Sequence, residues 1–292
     1  MIITGFTIIR NAIKNDYPIV EAITSILPIV DEMIVLVGQS DDETEELIRS
    51  INSSKIKIHY SVWNTGLQSG GVVLAQETNK ALVFVDPTSD WAFYIQADEV
   101  IHEKYHSAIV EGCTKYKDDD RVEGLLFKYV HFYGSYQYVG DSRKWYSHEV
   151  RIIRPGRGLT AYRDAQGFRN NGERIAVKKL DACVYHYGWV KTRENMIAKM
   201  KNVTAFWAGN QQAFQKAIAS NELFSFSDYD SVSHFSGTHP QVMQKRISEQ
   251  DHALQLDVNR KNLSFKDRIM YFIEKITGKR FFEFKNYRTL RG

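Results

Sequence analysis

The sequence predicts an α/β fold: a mostly parallel sheet with helices on both faces, a small mixed β extension and C-terminal helices. Three observations carry that expectation. Short, continuous apolar runs alternate with segments of helical period as far as residue 96, and each run empties into a polar loop. After about residue 120, strand-like runs follow one another without long helices between them.

Residues 2–9 form a β-branched run suited to a strand buried on both faces, and Arg10 and Asn11 end it. Residues 16–29 open with Asp16, carry Pro18 in the first turn, and repeat Ile19, Val20, Ile23, Ile26 and Leu27 at helical spacing. A second buried strand, 33–37, leads into loop 38–44. There Ser40 or Asp41 is expected to cap a helix that turns Leu47, Ile48 and Ile51 inward. Residues 56–60 make a third strand. A loop with Gly66, Gly70 and Gly71 then leads to a helix over about 72–84. The fourth strand begins at Trp91 and stops abruptly on Gln96, Ala97, Asp98 and Glu99. This β-α-β order implies right-handed crossovers. Runs 124–133, 149–154 and 182–190 read as strands of the mixed extension, and 192 to about 221 as helix. Residues 265–276 form an amphipathic pattern, with Leu263, Ile269, Phe272, Ile273 and Ile276 on one face.

Composition excludes several classes. With 292 residues, 43% hydrophobic and 25% charged, the chain has the make-up of a soluble globular protein. A net charge of +3 gives no footprint for nucleic acid. The 16 Tyr, 16 Phe and 5 Trp suit sugar- or nucleotide-binding grooves, although the core is the default place for most of them. Cys113 and Cys183 have no CxxC or zinc-type spacing, which fits a reducing cytoplasm. The apolar N-terminus lacks a basic region and a small-residue cleavage site, so it reads as a first strand. No uncharged apolar run approaches the ~20 residues that span a bilayer. The G-x-G-x-x-G, P-loop and G-x-S-x-G patterns are missing as well.

Chemistry concentrates at the strand ends. Arg10 and Asn11, the loop 38–44, and Gln96 to Glu99 all follow expected parallel strands. They should therefore meet along the carboxyl edge, where such sheets bind nucleotides. Asp98 and Glu99 suit a hard divalent cation, and the plain alternative is a solvated acidic turn. His186, in an aromatic strand, reads equally as a metal ligand or as a structural histidine. Glu149, Asp164 and Asp181 are the acids from which a general base can come. The basic C-terminal helix suits an anionic membrane surface. Packing on the domain, with its lysines in water, is the default reading.

On these residues the chain resembles the bacterial family 2 glycosyltransferases with the GT-A fold, especially the lipopolysaccharide-core glucosyltransferase-like members. The resemblance covers residues 2 to about 115, through the first strand, loop 38–44, helix 74–81 and Gln96 to Glu99. It runs more loosely through 150–155 and 184–188. It implies a transferase domain over 1–190, with a nucleotide-binding half to about 115 and an acceptor half over 116–190, followed by a helical extension over 191–292. Asp98 matches the metal-binding aspartate of a D-x-D-type motif, and Gln96 stands at its first aspartate. His186 matches a later histidine that completes a Mn²⁺ or Mg²⁺ shell. Arg10, Asn11, Gln39, Asp41, Gln96 and Ala97 fall where the nucleotide would bind. Val37 replaces an aspartate that reads the base in many relatives. Gln166 replaces a glutamate, which leaves Asp164 as the base. The implied activity is inverting sugar transfer from a nucleotide-diphospho-sugar to a glycan or lipid-linked acceptor in bacterial surface polysaccharide synthesis. Cysteine usage and the basic C-terminal segment give the expected location, cytoplasmic with a peripheral contact at the inner face of the membrane. A catalytically silent nucleotide- or sugar-binding protein and, further off, a sugar nucleotidyltransferase are the alternatives.

Overall fold

The computed structural model describes residues 1–64, 66, 70–204, 224–250 and 254–290. Four parallel strands, β1 (Ile3–Ile9), β2 (Glu32–Gly38), β3 (Ile56–Ser61) and β4 (Trp91–Tyr94), lie in the spatial order β3-β2-β1-β4. β5 (Glu99–Ile101), β6 (Gly124–Tyr133), β7 (Tyr138–Gly140) and β8 (His148–Ile153) follow. β8 runs antiparallel between β4 and β6, with Ile152 beside both Phe93 and Leu125. β9 (Leu159–Tyr162), β10 (Gly167–Asn170) and β11 (Glu173–Arg174) form a separate antiparallel sheet. The long β12 (Ala176–Trp189) pairs parallel to β6 and antiparallel to β5. β13 (Val232–His234) joins β7, and β14 (Arg288–Thr289) joins β12.

Side chains alternate along the parallel strands and divide the core in two. Ile3, Ile9, Met33, Val35, Trp91 and Phe93 face one side, under α1 (Ile19–Ile26), α2 (Thr44–Arg49) and, after α3 (Val72–Val83) in the chain, α4 (His106–Tyr116). Phe6, Ile8, Ile34, Leu36 and Tyr94 face the other, under α3 and the β9–β10 hairpin. Burial on both faces explains why these strands read as unbroken apolar runs.

The expected α/β architecture, with its mixed β extension, is present, and several details differ. α1 starts at Ile19, because Asp16 adopts a left-handed turn (φ 49°) and gives its carboxylate to Arg246. Neither Ser40 nor Asp41 caps α2; Asp42 Oδ1 accepts the Thr44 N–H at 3.2 Å. The C-terminal segment contributes β13 and β14 as well as α5 (Arg193–Thr204), α6 (Gln244–Glu249) and α7 (Phe265–Thr277). Residues 205–221 of the helix expected from 192 lie outside the described residues. α7 turns its polar side to the domain, where Tyr271 and Glu274 meet the largely buried Asp141 and Arg143, and leaves Phe265 and Phe272 exposed. A buried charge requires a polar partner more strongly than an apolar side chain requires cover. No described helix is long and apolar enough to cross a membrane.

One ion pair ties the end of β4 to β8. Glu99 is fully buried, and Arg151 donates Nε to Oε2 at 2.8 Å and Nη2 to Oε1 at 2.7 Å. The Tyr129 hydroxyl adds a bond at 2.6 Å, and the Gln96 N–H another at 3.1 Å. The guanidinium lies 5.5 Å from the Tyr94 ring centroid and 5.3 Å from that of Tyr129. Removing one member strands a buried charge, so Arg151→Met should lower the unfolding free energy by about 3–5 kcal/mol in urea titrations.

Glu149, two residues before Arg151 on β8, is buried, and burial pushes its carboxyl up to about 8. Its ordinary value is near 4.5. Between those values the native state keeps a proton that the unfolded chain releases, so stability falls as pH rises from about 4.5 to 8. Glu149→Gln should flatten that fall, read as urea midpoints at either end of the window.

Candidate active site

A cleft of about 460 Å³ opens at the carboxyl edge of the parallel strands, a size that suits a small-molecule ligand. Arg10 and Asn11 enter it from the end of β1, Asp41 from beyond β2, and Gln96, Ala97 and Asp98 from beyond β4. His186 from β12 and Asp164 from the β9–β10 turn line it as well. Gln39 does not line this cleft. Its exposed side chain borders a neighbouring depression, while its carbonyl accepts Arg10 Nε at 2.9 Å. Of the other acids considered as a base, Glu149 is buried and Asp181 exposed, and neither lines the cleft.

The loops after β1 and β2 are bonded to each other. Asn11, at φ 52°, donates its N–H to Ser40 Oγ and accepts the Asp41 N–H on Oδ1, both at 3.0 Å. Trp63 closes this end of the cleft. A Cβ at Gly38 would lie 2.3 Å from Trp63 Nε1, so glycine is what lets the indole lie against the end of β2.

The other end is built on a histidine chain. His131 Nε2 lies 2.8 Å from the Tyr146 carbonyl, so that nitrogen carries the proton. Burial holds the His131 ring well below its ordinary value, and its Nδ1 is then an acceptor. His186 Nδ1, 3.1 Å away, must donate to it. His186 Nε2 therefore points a lone pair toward Asp98 Oδ2, 3.7 Å away. A Cβ at Gly188 would fall 2.5 Å from Asp98 Oδ2 and 2.7 Å from His186 Nε2, so only a glycine leaves that space open.

Two electron-rich atoms facing each other call for a cation. In this structure the cation is the Lys199 ammonium from α5, 3.0 Å from Asp98 Oδ2 and 2.9 Å from the Gly188 carbonyl. Burial alone would raise the Asp98 carboxyl; the surrounding cationic groups, Lys199 foremost, together outweigh it and hold the group well below the usual carboxylate range. Among the described residues no group of three or more His, Cys, Asp and Glu side chains is placed to hold a metal ion. The donor set fits an open divalent site: one carboxylate oxygen and one imidazole lone pair of fixed tautomer, with the remaining positions left to phosphate oxygens and water. Gln96 is not a third ligand here. Its amide is turned toward the Ala165 carbonyl, at 3.4 Å.

That bond steadies the turn bearing Asp164. Arg163 and Ala165 on either side are left-handed (φ 54° and 61°), and Arg151 Nη1 donates to the Gln166 carbonyl at 3.3 Å. Strained backbone flanking a cleft carboxylate is a common feature of functional turns. Burial raises the Asp164 carboxyl above its usual value, toward what a general base uses near neutral pH.

Sequence reading missed Lys199, Tyr17, Trp63 and Tyr146, all of which line the cleft. Lys199 is one of 38 basic residues and stands in no motif; only the packing of α5 distinguishes it.

No family model and no curated protein matches the chain. Solved structures similar to it include TarS of S. aureus, 14% identical over 76% of this chain and 43% of that one, with a TM-score of 0.40. Residues 1–349 of TarS in complex with UDP are 15% identical over 78% of this chain and 74% of that one, at 0.40. Glucosyl-3-phosphoglycerate synthase from Mycobacterium tuberculosis, in complex with Mn²⁺, UDP and phosphoglyceric acid, is 21% identical over 44% of this chain and 43% of that one, at 0.30. The 4-diphosphocytidyl-2C-methyl-D-erythritol synthase of Anaerococcus prevotii is 11% identical over 69% and 98%, at 0.39. This chain spans less than half the length of full TarS. With similarity at this level, the functional reading rests on the chain's own side chains.

Proposed function

We propose that the protein is a glycosyltransferase of bacterial surface polysaccharide synthesis. It transfers a sugar, with inversion, from a nucleotide-diphospho-sugar to a glycan or lipid-linked acceptor. One observation carries this reading: a single cleft at the strand ends gathers a cation-seeking Asp98–His186 pair, the Lys199 ammonium, and an Asp164 carboxyl raised by burial.

Each group has a task in displacement at an anomeric carbon. The bond from that carbon to the diphosphate breaks as the acceptor oxygen bonds to the opposite face, which inverts the centre. Asp164 takes the acceptor hydroxyl proton. Negative charge grows on the departing diphosphate, and Arg10 and Lys199, both in the cleft, supply positive charge against it. Mn²⁺ or Mg²⁺ held by Asp98 and His186 would add electrostatic stabilisation of the same leaving group. Asn11, Asp41 and Trp63 form the end that receives the nucleoside. A nucleotidyltransferase is less well supported, because such an enzyme holds its triphosphate on a glycine-rich basic loop after the first strand, and residues 10–14 contain no glycine and have Lys14 bonded to Asp41.

Calorimetry with UDP- and GDP-sugars, with and without Mn²⁺, tests the donor site. Asp98→Asn should remove the Mn²⁺-dependent part of binding. Lys199→Met should tighten Mn²⁺ binding in the absence of nucleotide by about tenfold, because the competing ammonium is gone. Donor binding that ignores both Mn²⁺ and Asp98→Asn would sink the metal pair.

Asp164→Asn should lower kcat by about 10²–10⁴-fold while leaving donor affinity unchanged. Transfer at the wild-type rate would remove Asp164 from the base role.

A further inference from the structure

Helix α7 is amphipathic but packed with its apolar side out. Tyr271 donates its hydroxyl to Asp141 Oδ2 at 2.7 Å, and Glu274 accepts from Arg143 at 3.0 Å and from Arg280 at 2.9 Å. The opposite side carries Phe265, Ile269, Phe272 and Ile276, which are 82%, 46%, 64% and 68% exposed. Their spacing of four, three and four residues makes one stripe along the helix. Gly278 (φ 66°) ends the helix, and the following turn adds Phe282 and Phe284 to the exposed set. Phe282 is itself left-handed (φ 58°), a conformation rare for a bulky residue. Arg280 holds this turn through the Trp145 and Ser142 carbonyls, and Arg143 through the Phe281 carbonyl. The aromatic rings therefore project from a bonded scaffold.

The charges around the stripe are one-sided. Lys266, Arg268, Lys279 and Lys285 are exposed, and Lys275, although exposed, lies 3.7 Å from Asp141 Oδ2. The acids of the same segment are engaged internally: Asp267 by Ser264, Glu274 by Arg143 and Arg280, and Glu283 by Ser147 and Arg280. An apolar stripe ringed by cations matches a surface that is apolar in depth and anionic at its face. A second copy of the chain would bring the same cations against them, so charge disfavours self-pairing.

We propose that this face lies on an anionic lipid bilayer, with the apolar stripe at the boundary between headgroups and acyl chains and the lysines among the anionic headgroups. The inference is independent of the sugar-transfer reading, since no residue of the cleft takes part.

Co-sedimentation of the full chain with phosphatidylglycerol–phosphatidylcholine vesicles and with pure phosphatidylcholine vesicles tests it. The protein should pellet with the anionic vesicles and be released by high salt. Lys279→Ala should weaken binding about fivefold. A Phe272→Ser, Phe282→Ser double variant should lose binding while keeping its circular dichroism spectrum, because both residues are exposed. Equal binding to neutral vesicles, binding to neither, or binding untouched by these substitutions would overturn the proposal. A dimer in sedimentation velocity that Phe272→Ser dissolves, without vesicle binding, would make the face a self-interface and overturn it as well.

Discussion

The buried Glu99–Arg151 pair is the constraint on which the site depends. Taking two charges out of water costs several kcal/mol per ion, and only complete partnering offsets it. Here the partnering is also what builds the cleft. Glu99 collects two Arg151 bonds, the Tyr129 hydroxyl and the Gln96 N–H, which closes the turn carrying Asp98. Arg151 reaches on to the Gln166 carbonyl and so fixes the turn carrying Asp164. Asp98 and Asp164, which line the cleft, are thus held in place by a third carboxylate that does not line it. The four residues after β4 divide the work: Gln96 is a strut to Ala165, Ala97 lines the cleft, Asp98 meets the cation and Glu99 anchors the turn.

A second chain of partners sets the electrostatics. The Tyr146 carbonyl orders His131, His131 orders His186, and the His186 lone pair then faces Asp98. Such an arrangement is unfavourable without a cation, and Lys199 satisfies it with an ammonium from the same polypeptide. Lys199 thereby joins α5 to the turn after β4 and, through the Gly188 carbonyl, to the end of β12.

Much of this was legible in the sequence. The parallel strands announce themselves because burial on both faces leaves no polar positions, and their ends necessarily share an edge. Six of the nine expected site residues line the cleft for that reason, while His186 and Asp164 reach it from β12 and the β9–β10 turn. Gln39 escaped because the loop after β2 turns its carbonyl, not its side chain, toward Arg10. The start of α1 was misjudged because Asp16 is held by Arg246, 230 residues away, a contact with no local signature. The same holds for α7: its stripe is plain in the sequence, but which side packs inward is decided by Asp141 and Arg143, 130 and 131 residues earlier.

The C-terminal segment is part of the site and not an appendage to it. α5 delivers Lys199 to Asp98, and Asn195 of the same helix lies 3.4 Å from the Asp16 carboxylate. Arg246 and Gln250 reach that carboxylate from α6 and the residue after it, and Lys191 donates to the Asp16 carbonyl. Asp16 follows the β1 loop that supplies Arg10 and Asn11, so one left-handed residue fastens the segment beyond 190 to the Arg10–Asn11 end of the cleft. A boundary at residue 190 follows the end of β12 but separates residues that line the same cleft. The cation partner of Asp98 lies on one side of it and Asp98 on the other. Whatever folds first, the cleft acquires its resting charge balance only when α5 has docked.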